Sequence, residues 1–517
     1  RSQAGQNLSR YCHMRPAATS STATGIAPLL LTLPWLNPFA PGPMAAMVPW
    51  LVALASVAGL LGVQAVWQPA RHPSGASGWA GAAAGGWLLA GAVSCAIGIV
   101  QYFGLSPALT PWVNPTALGE AFANLRQRNQ FASLVHIALA ALLWWAVQAR
   151  PAQAQRNLAW ALAVLLGLGN AVSSSRTGLV QTGLVVVLAA LWGGRRDAAV
   201  RRVLLGFVLA YGLGQLLLPI LVGLDTGAWA RLREGDALCS SRLTLWHNVL
   251  TLVAQHPWLG WGWGELDYAH YIHLYDSPRF CDILDNAHNL PLHLAVELGV
   301  PVAVAVCGLL AWWVLRAQPW AETDATRRMA WTVLAVVGLH SLLEYPLWYG
   351  PFQIAVGLCV VLLWRPSHPA YIRNKASALI PWAVAAIILI VSCIYIAWDY
   401  RRASQIYMPP EARDPAYRDE PLAKARGTFL FQNQVRFATL STTPLTQTNA
   451  LAQYHLALEL LHFSPEHRVI ERVIDSAMLL GLDAEAVFHM QRFKAAFPED
   501  FDEWVAARRR VNLPPPA

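Results

Sequence analysis

Eleven apolar runs of near-spanning length constrain this chain more than any other feature. They fall at about 25–37, 46–66, 80–103, 131–148, 157–173, 177–192, 203–222, 289–315, 329–343, 351–364 and 379–398. Only helices and closed barrels satisfy their own backbone inside a bilayer, and runs of this length are helical. The 517 residues are 56% hydrophobic and 13% charged, about half the charge of a soluble globular protein. That balance excludes a disordered chain and argues against an ordinary cytosolic enzyme. The expected fold class is an all-α polytopic membrane protein of about 11–12 spans with a soluble helical part at its C-terminal end.

Strict alternation of the runs can be tested with Lys and Arg. With the N-terminal segment 1–24 inside, the inside segments carry 16 basic residues and the outside segments before the tail carry 7, although the outside is longer. The positive-inside rule is met, most clearly by "GGRRDAAVRR" and "RPSHPAYIRNK". The net charge of +8 therefore serves orientation to a large extent and is no evidence for a nucleic-acid partner. Segment 1–24 is polar, lacks an initial Met and a cleavable signal, and offers Met14 as a start. The expected divisions are thus 1–24, a membrane domain over 25–398 with a large outer loop at 223–288, and an outer tail over 399–517. Amphipathic stretches in the tail, such as "HRVIERVIDSAMLLGL", predict short antiparallel helices. Two readings of that tail stand side by side: an interaction platform and a plain small helical domain.

The chemistry gathers on the outer face. "NLRQRNQFAS" puts Arg128 with Gln127 before the fourth span, "SSSRTG" puts Arg176 in a tight turn, and "CSSRLTLWHNVL" puts Arg242 on an amphipathic segment. Guanidinium groups bind phosphate oxygens bidentately and keep their charge, so convergence of the three would make a diphosphate clamp; separate snorkelling arginines are the alternative. His288 and Asn289 stand at the threshold of the eighth span after Asp282 and Asp285, with Asn286 as a candidate helix cap. A His beside a carboxylate suits general-base work near neutral pH, and a structural His is the competing reading. Glu297 lies within the eighth run, where an ionisable group is costly. "GLHSLLEYPLWYGPF" supplies His340, Glu344 and Tyr345, either as a wall of the site or as an aromatic belt. His270, His273, Asp276 and Cys281 fit no standard metal spacing. "GWGWGE" at 260–265 lacks the lysine and context of a phosphate loop. Cys239 and Cys281, the two cysteines of the outer loop, are open to pairing or to remaining free thiols.

With these strings in place, the chain resembles the O-antigen ligase and polymerase superfamily, through "HN" at 288–289 followed by Gly299. "RQRNQFAS", "SSSRTG", "SRLTLWHNVLTLVAQHPWLGWGWGEL" and "HSLLEYPLWYGPF" resemble its bacterial protein O-oligosaccharyltransferase branch, and the likeness covers about 25–500. The resemblance implies a GT-C-like inner-membrane fold with its site facing the periplasm. It implies en bloc transfer of an oligosaccharide from undecaprenyl diphosphate to Ser or Thr of periplasmic or pilin proteins, inverting and without metal or other cofactor. His288 would be the base, Arg128, Arg176, Arg242 and Gln127 would hold the donor diphosphate, and Asn289, His340, Glu344 and Tyr345 would position substrate. A lipid A–core acceptor, as in O-antigen ligases, or chain polymerisation would use the same site. A flippase for a lipid-linked sugar is the alternative from another class, and the lack of visible inverted repeats counts against it.

Overall fold

A computed structural model describes residues 20–66, 75–148, 152–224, 238–364 and 375–510. Met14 and most of the expected N-terminal segment lie outside the described residues. Of the described residues 76% are helical and none is in a strand, and the chain is an all-α polytopic membrane protein. The helices are α1 (Ser20–Leu36), α2 (Met47–Val66), α3 (Gly75–Tyr102), α4 (Arg128–Gln148), α5 (Gln153–Ser173), α6 (Arg176–Leu191) and α7 (Ala198–Leu221). After the large loop come α8 (Arg242–Gln255), α9 (Leu266–Ile272), α10 (Leu290–Leu298), α11 (Val300–Ala317), α12 (Ala325–Ser341), α13 (Gly350–Leu363) and α14 (Lys375–Ser404). Among the described residues six helices are long and apolar enough to cross a bilayer, and three shorter apolar ones accompany them. Every apolar run of the sequence is helical.

Helix α4 is the hub of the bundle. Phe131, Leu134, Val135, Ile137, Ala138 and Ala141 are all fully buried, as expected of a helix that is apolar on every side. It packs against α3, α5, α6 and α12. Small residues let the backbones approach, as they do between membrane helices generally. A Cβ on Gly167 of α5 would lie 2.4 Å from the Phe207 carbonyl oxygen of α7. Polar caps start the helices: Ser175 accepts from the Gly178 amide, Asp197 from Ala199 and Val200, and Asp324 from Arg327.

The run expected as one span over 289–315 is broken. Gly299, at φ +86°, separates α10 from α11, and the cause lies 40 residues upstream in the sequence. The Trp261 amide donates to the Val296 carbonyl (2.9 Å), Gly262 to Glu297 (3.0 Å) and Val300 to Pro257 (2.8 Å). The "PWLGWGWG" loop thus satisfies carbonyls that an unbroken helix would have bonded internally. A Cβ at Gly299 would lie 2.2 Å from the Trp258 carbonyl oxygen, and one at Gly260 would lie 2.3 Å from that of Glu297. The glycine-rich string therefore has a packing role here. Asn286 is not the cap of α10: Asn289 accepts from the Leu292 amide, while Asn286 Oδ1 accepts from the His288 amide.

Beyond α14, helices at Gln432–Thr442, Ala450–Leu461, His467–Leu479, Asp483–Ala496 and Pro498–Arg510 share a core built on Leu460, Val469, Ile470, Val473, Ile474 and Phe493. Tyr271 of α9 belongs to that same core. Its hydroxyl lies 2.8 Å from His489 Nδ1, Arg492 donates to the Ile272 carbonyl (2.7 Å), and His462 pairs with Glu265 (2.7 Å) while stacking on Tyr268. The tail is docked on the large loop.

Candidate active site

At one end of the bundle, where α4 and α6 begin and α12 ends, four segments meet on a single carboxylate. Glu344 follows α12 and is held by its own amide, which donates to the His340 carbonyl (2.8 Å). Its side chain is 6% exposed. Oε2 lies 2.6 Å from His288 Nδ1 and accepts from Gln127 Nε2 (3.2 Å). Oε1 accepts from Asn129 Nδ2 (3.3 Å) and from the Arg242 guanidinium. Burial raises the carboxyl's pKa, but the hydrogen bond and charge of His288 together with Arg242 outweigh it, leaving it below the ordinary carboxylate range. Glu344 is therefore ionised at neutral pH and can only accept hydrogen bonds. His288 Nδ1 must then carry the ring proton, and the free lone pair is on Nε2.

His288 is presented by a shaped loop. Its φ is +49°, an uncommon left-handed conformation for a residue with a side chain. Bonds on both sides hold it: its amide to Asn286 Oδ1 (2.8 Å), the Ala287 carbonyl from Trp246 Nε1 (3.2 Å), and Asn289, which caps α10 and donates to the Leu342 carbonyl (3.0 Å). Tyr345 sets its ring edge-on to the imidazole with centroids 4.9 Å apart, and Tyr349 stacks on Tyr345 at 6.0 Å. Burial raises both phenols, so they remain protonated donors. Burial likewise raises the Asp285 carboxyl against the lowering effect of nearby His288.

The expected arginine clamp is met unevenly. Arg242, first residue of α8, joins the cluster directly. Arg128 pairs with Glu120, and its neighbours Gln127 and Asn129 are what reach Glu344. Arg176 is the first residue of α6, next to Ser175, whose hydroxyl donates to Asn129 Oδ1 (2.7 Å). His340 lies elsewhere: it is fully buried, bonds Ser133 Oγ (2.9 Å) and packs on Phe352. Asn129 and Ser175 join the cluster although the sequence assigns them no role of their own. The only trace of them was a run of amides and hydroxyls beside the arginines. Cys239 and Cys281 are paired as a disulfide, tying the segment before α8 to the segment before His288. Among the described residues no group of His, Cys, Asp or Glu is arranged to hold a metal. Glu297 is buried beside His293 (3.5 Å) and its carbonyl bonds the Gly262 amide, which places it in the α10 packing.

The arrangement gives an oriented imidazole with an open nitrogen, a guanidinium and phenols within one cluster at the bundle's end. Comparison with known families agrees with it. Residues 161–307 match the family described as O-Antigen ligase, 121–146 match Protein glycosylation ligase, and 328–512 match Virulence factor membrane-bound polymerase, C-terminal. Two curated relatives come from Acinetobacter baylyi (strain ATCC 33305 / BD413 / ADP1). The General O-oligosaccharyltransferase is 24% identical over 54% of this chain and 49% of its own length. The ComP-specific O-oligosaccharyltransferase is 25% identical over 62% of this chain and 55% of its own. The chain thus spans about half the length of the curated relatives it matches. The match to the ligase model includes Arg176, Arg242 and His288, and that to the glycosylation ligase model includes Gln127, Arg128 and Asn129. Separate stretches of the chain are thus similar to the O-antigen ligase and protein glycosylation ligase families and, over about half its length, to O-oligosaccharyltransferases.

Proposed function

We propose that this protein transfers an oligosaccharide en bloc from undecaprenyl diphosphate to a Ser or Thr hydroxyl of a periplasmic or pilin protein. The observation that carries the reading is the 2.6 Å contact between His288 Nδ1 and Glu344, within a cluster that also holds Arg242 and Tyr345. His288 Nε2 takes the proton of the acceptor hydroxyl as its oxygen attacks the anomeric carbon. The bond from that carbon to the diphosphate breaks with its electron pair, and the sugar inverts. The imidazolium formed is stabilised by Glu344, the same task a buried carboxylate performs for a catalytic His elsewhere. The departing diphosphate gains negative charge, and preorganised cations are worth most where charge develops. Arg242 spends one NH2 group on Glu344 and keeps further N–H donors for a phosphate. Arg128 and Arg176, on the neighbouring helix starts, complete the cationic edge. Tyr345, with its ring against His288, positions acceptor or first sugar.

The site faces the periplasm of a bacterial inner membrane in this reading. The basic residues concentrate at the opposite end, and the Cys239–Cys281 disulfide suits an oxidising compartment. The similarity to two O-oligosaccharyltransferases, one of them ComP-specific, and the match of 121–146 to Protein glycosylation ligase support a protein acceptor. The test gives purified protein and lipid-linked glycan two acceptors at once, a Ser-containing pilin-type protein and lipid A–core. Glycan on the protein, lost in His288→Ala, is the expected result. Glycan on the lipid alone would replace this reading with that of an O-antigen ligase. Movement of the donor across the bilayer without transfer would replace it with a flippase.

A further inference from the structure

A large open cavity lies away from the His288 cluster, at the other end of the bundle. Helix α4 starts beside the cluster and ends, 21 residues later, at Gln148, about 30 Å away. There a cleft of about 1370 Å³ opens between α4, α5, α6 and the start of α7. That exceeds the ~300–1,000 Å³ of an ordinary small-molecule pocket.

The lining is two-zoned. Arg156 of α5, Arg195 of the α6–α7 turn, and Arg201 and Arg202 of α7 form its rim, all of them exposed. Among the described residues none of the four makes an ion pair. The only carboxylate in the lining, Asp197, is spent on capping α7 through the Ala199 and Val200 amides. Arg156 is braced by Gln153, and Arg201 by the Arg195 carbonyl at 3.1 Å, so two of the guanidiniums are already aimed. Below the rim the wall turns apolar, with Trp160, Leu205 and Val208 exposed along it. A narrower apolar crevice adjoins the cleft, sharing Val147, Ala189 and Gly194 with it.

Orientation of a span requires only that basic residues flank it. It does not require four of them, from two helices and a turn, around one cavity with only the helix-capping Asp197 to oppose them. A cationic rim above an apolar wall at the membrane boundary matches a glycerophospholipid with an anionic headgroup: phosphodiester among the guanidiniums, chains along Trp160 and Leu205. A free anion would meet the same arginines but leave the apolar wall bare. We infer that this cleft is a binding site for one anionic phospholipid, separate from the site at His288.

The test uses the full purified protein in detergent and native mass spectrometry, with phosphatidylglycerol, phosphatidylcholine and inorganic phosphate as probes. One phosphatidylglycerol per chain should be retained, phosphatidylcholine should not, and millimolar inorganic phosphate should not displace the lipid. At about fivefold per arginine near an anionic lipid surface, Arg156→Gln with Arg202→Gln should weaken retention roughly twentyfold. Arg316→Gln, exposed at the same end of the bundle but outside the cleft, should leave it unchanged. Should the double variant fail to fold, Arg195→Gln alone serves, with an expected fivefold loss. Equal retention in the cleft variants and in Arg316→Gln, or displacement by inorganic phosphate, overturns the site.

Discussion

His288 and Glu344 stand 56 residues apart in the chain and 2.6 Å apart in space. The carboxylate holds Nδ1 and, in the proposed reaction, leaves Nε2 for the substrate. Glu344→Gln keeps the size of the side chain but can donate as well as accept, so the tautomer is no longer enforced. General-base catalysis contributes about 10²–10⁴-fold. We expect transfer to fall at least 100-fold in kcat with donor binding within a few-fold of the parent. Glu344→Asp should recover part of the loss. A Gln variant with parental kcat would show that the pair is structural only.

The hydrogen bonds from Ser175 to Asn129 (2.7 Å) and from Asn129 to Glu344 (3.3 Å) tie the turn between α5 and α6 to the carboxylate. Asn129→Ala leaves Glu344 short of a partner without removing its charge. The expected outcome is a loss of at least about tenfold in kcat with KM unchanged, since a hydrogen bond to a charged group is worth about 1.5–3 kcal/mol. A rise in KM alone, in steady-state kinetics with varied lipid donor, would move Asn129 from positioning the base to binding substrate.

Gly299→Ala and Gly260→Ala each put a Cβ within 2.3 Å of a backbone carbonyl oxygen, where neither partner is a flexible side chain. Both residues also have positive φ. We expect a destabilisation of about 3 kcal/mol each, read as a lower Tm and faster proteolysis of the outer loop. Gly308→Ala, with open space around its Cβ, should be neutral.

Burial among the tail helices, with Arg492 nearby, lowers His489 from 6.5 to about 4. A histidine whose folded pKa is depressed contributes stability above its unfolded pKa, and that contribution is lost as pH falls through the folded value. Docking of Tyr271 on His489 should therefore loosen between about pH 6.5 and pH 4, seen as faster amide exchange in Leu266–Ile272 and Asp483–Ala496. His489→Gln should flatten the profile; an unaltered profile would assign the pH response to other groups.

The Cys239–Cys281 bridge closes a loop spanning 42 residues, which carries both α8 and α9. Chain entropy alone makes such a closure worth about 4 kcal/mol. Cys239→Ser with Cys281→Ser should make the loop protease-sensitive and lower transfer through His288 and Arg242, whose segments the bridge joins.

What was legible in the sequence was what depends on neighbours along the chain. Apolar runs became helices, and Ser175, Asp197 and Asp324 cap helices as their types and positions suggest. His288 and Arg242 were visible because their residue types have few uses at a membrane surface. The break at Gly299 was not visible, because its cause is a loop 40 residues upstream that bonds the carbonyls of Val296 and Glu297. Asn286 and Asn289 are equally good caps in sequence, and only the contact of Asn289 with Leu342 decides between them. His340 looked like a site residue because it is one turn from Glu344, and that one turn places its ring in the buried interior instead.

Glu344 is also made after every side chain that bonds its carboxylate. Gln127, Asn129, Arg242 and His288 all precede it, and α12 must be threaded before it can reach them. A nascent chain arrested anywhere short of residue 344 therefore has an untethered histidine and an unmatched arginine, and no oriented base. On the proposed mechanism the base is completed in one late step of synthesis, and fragments released during membrane insertion would lack it.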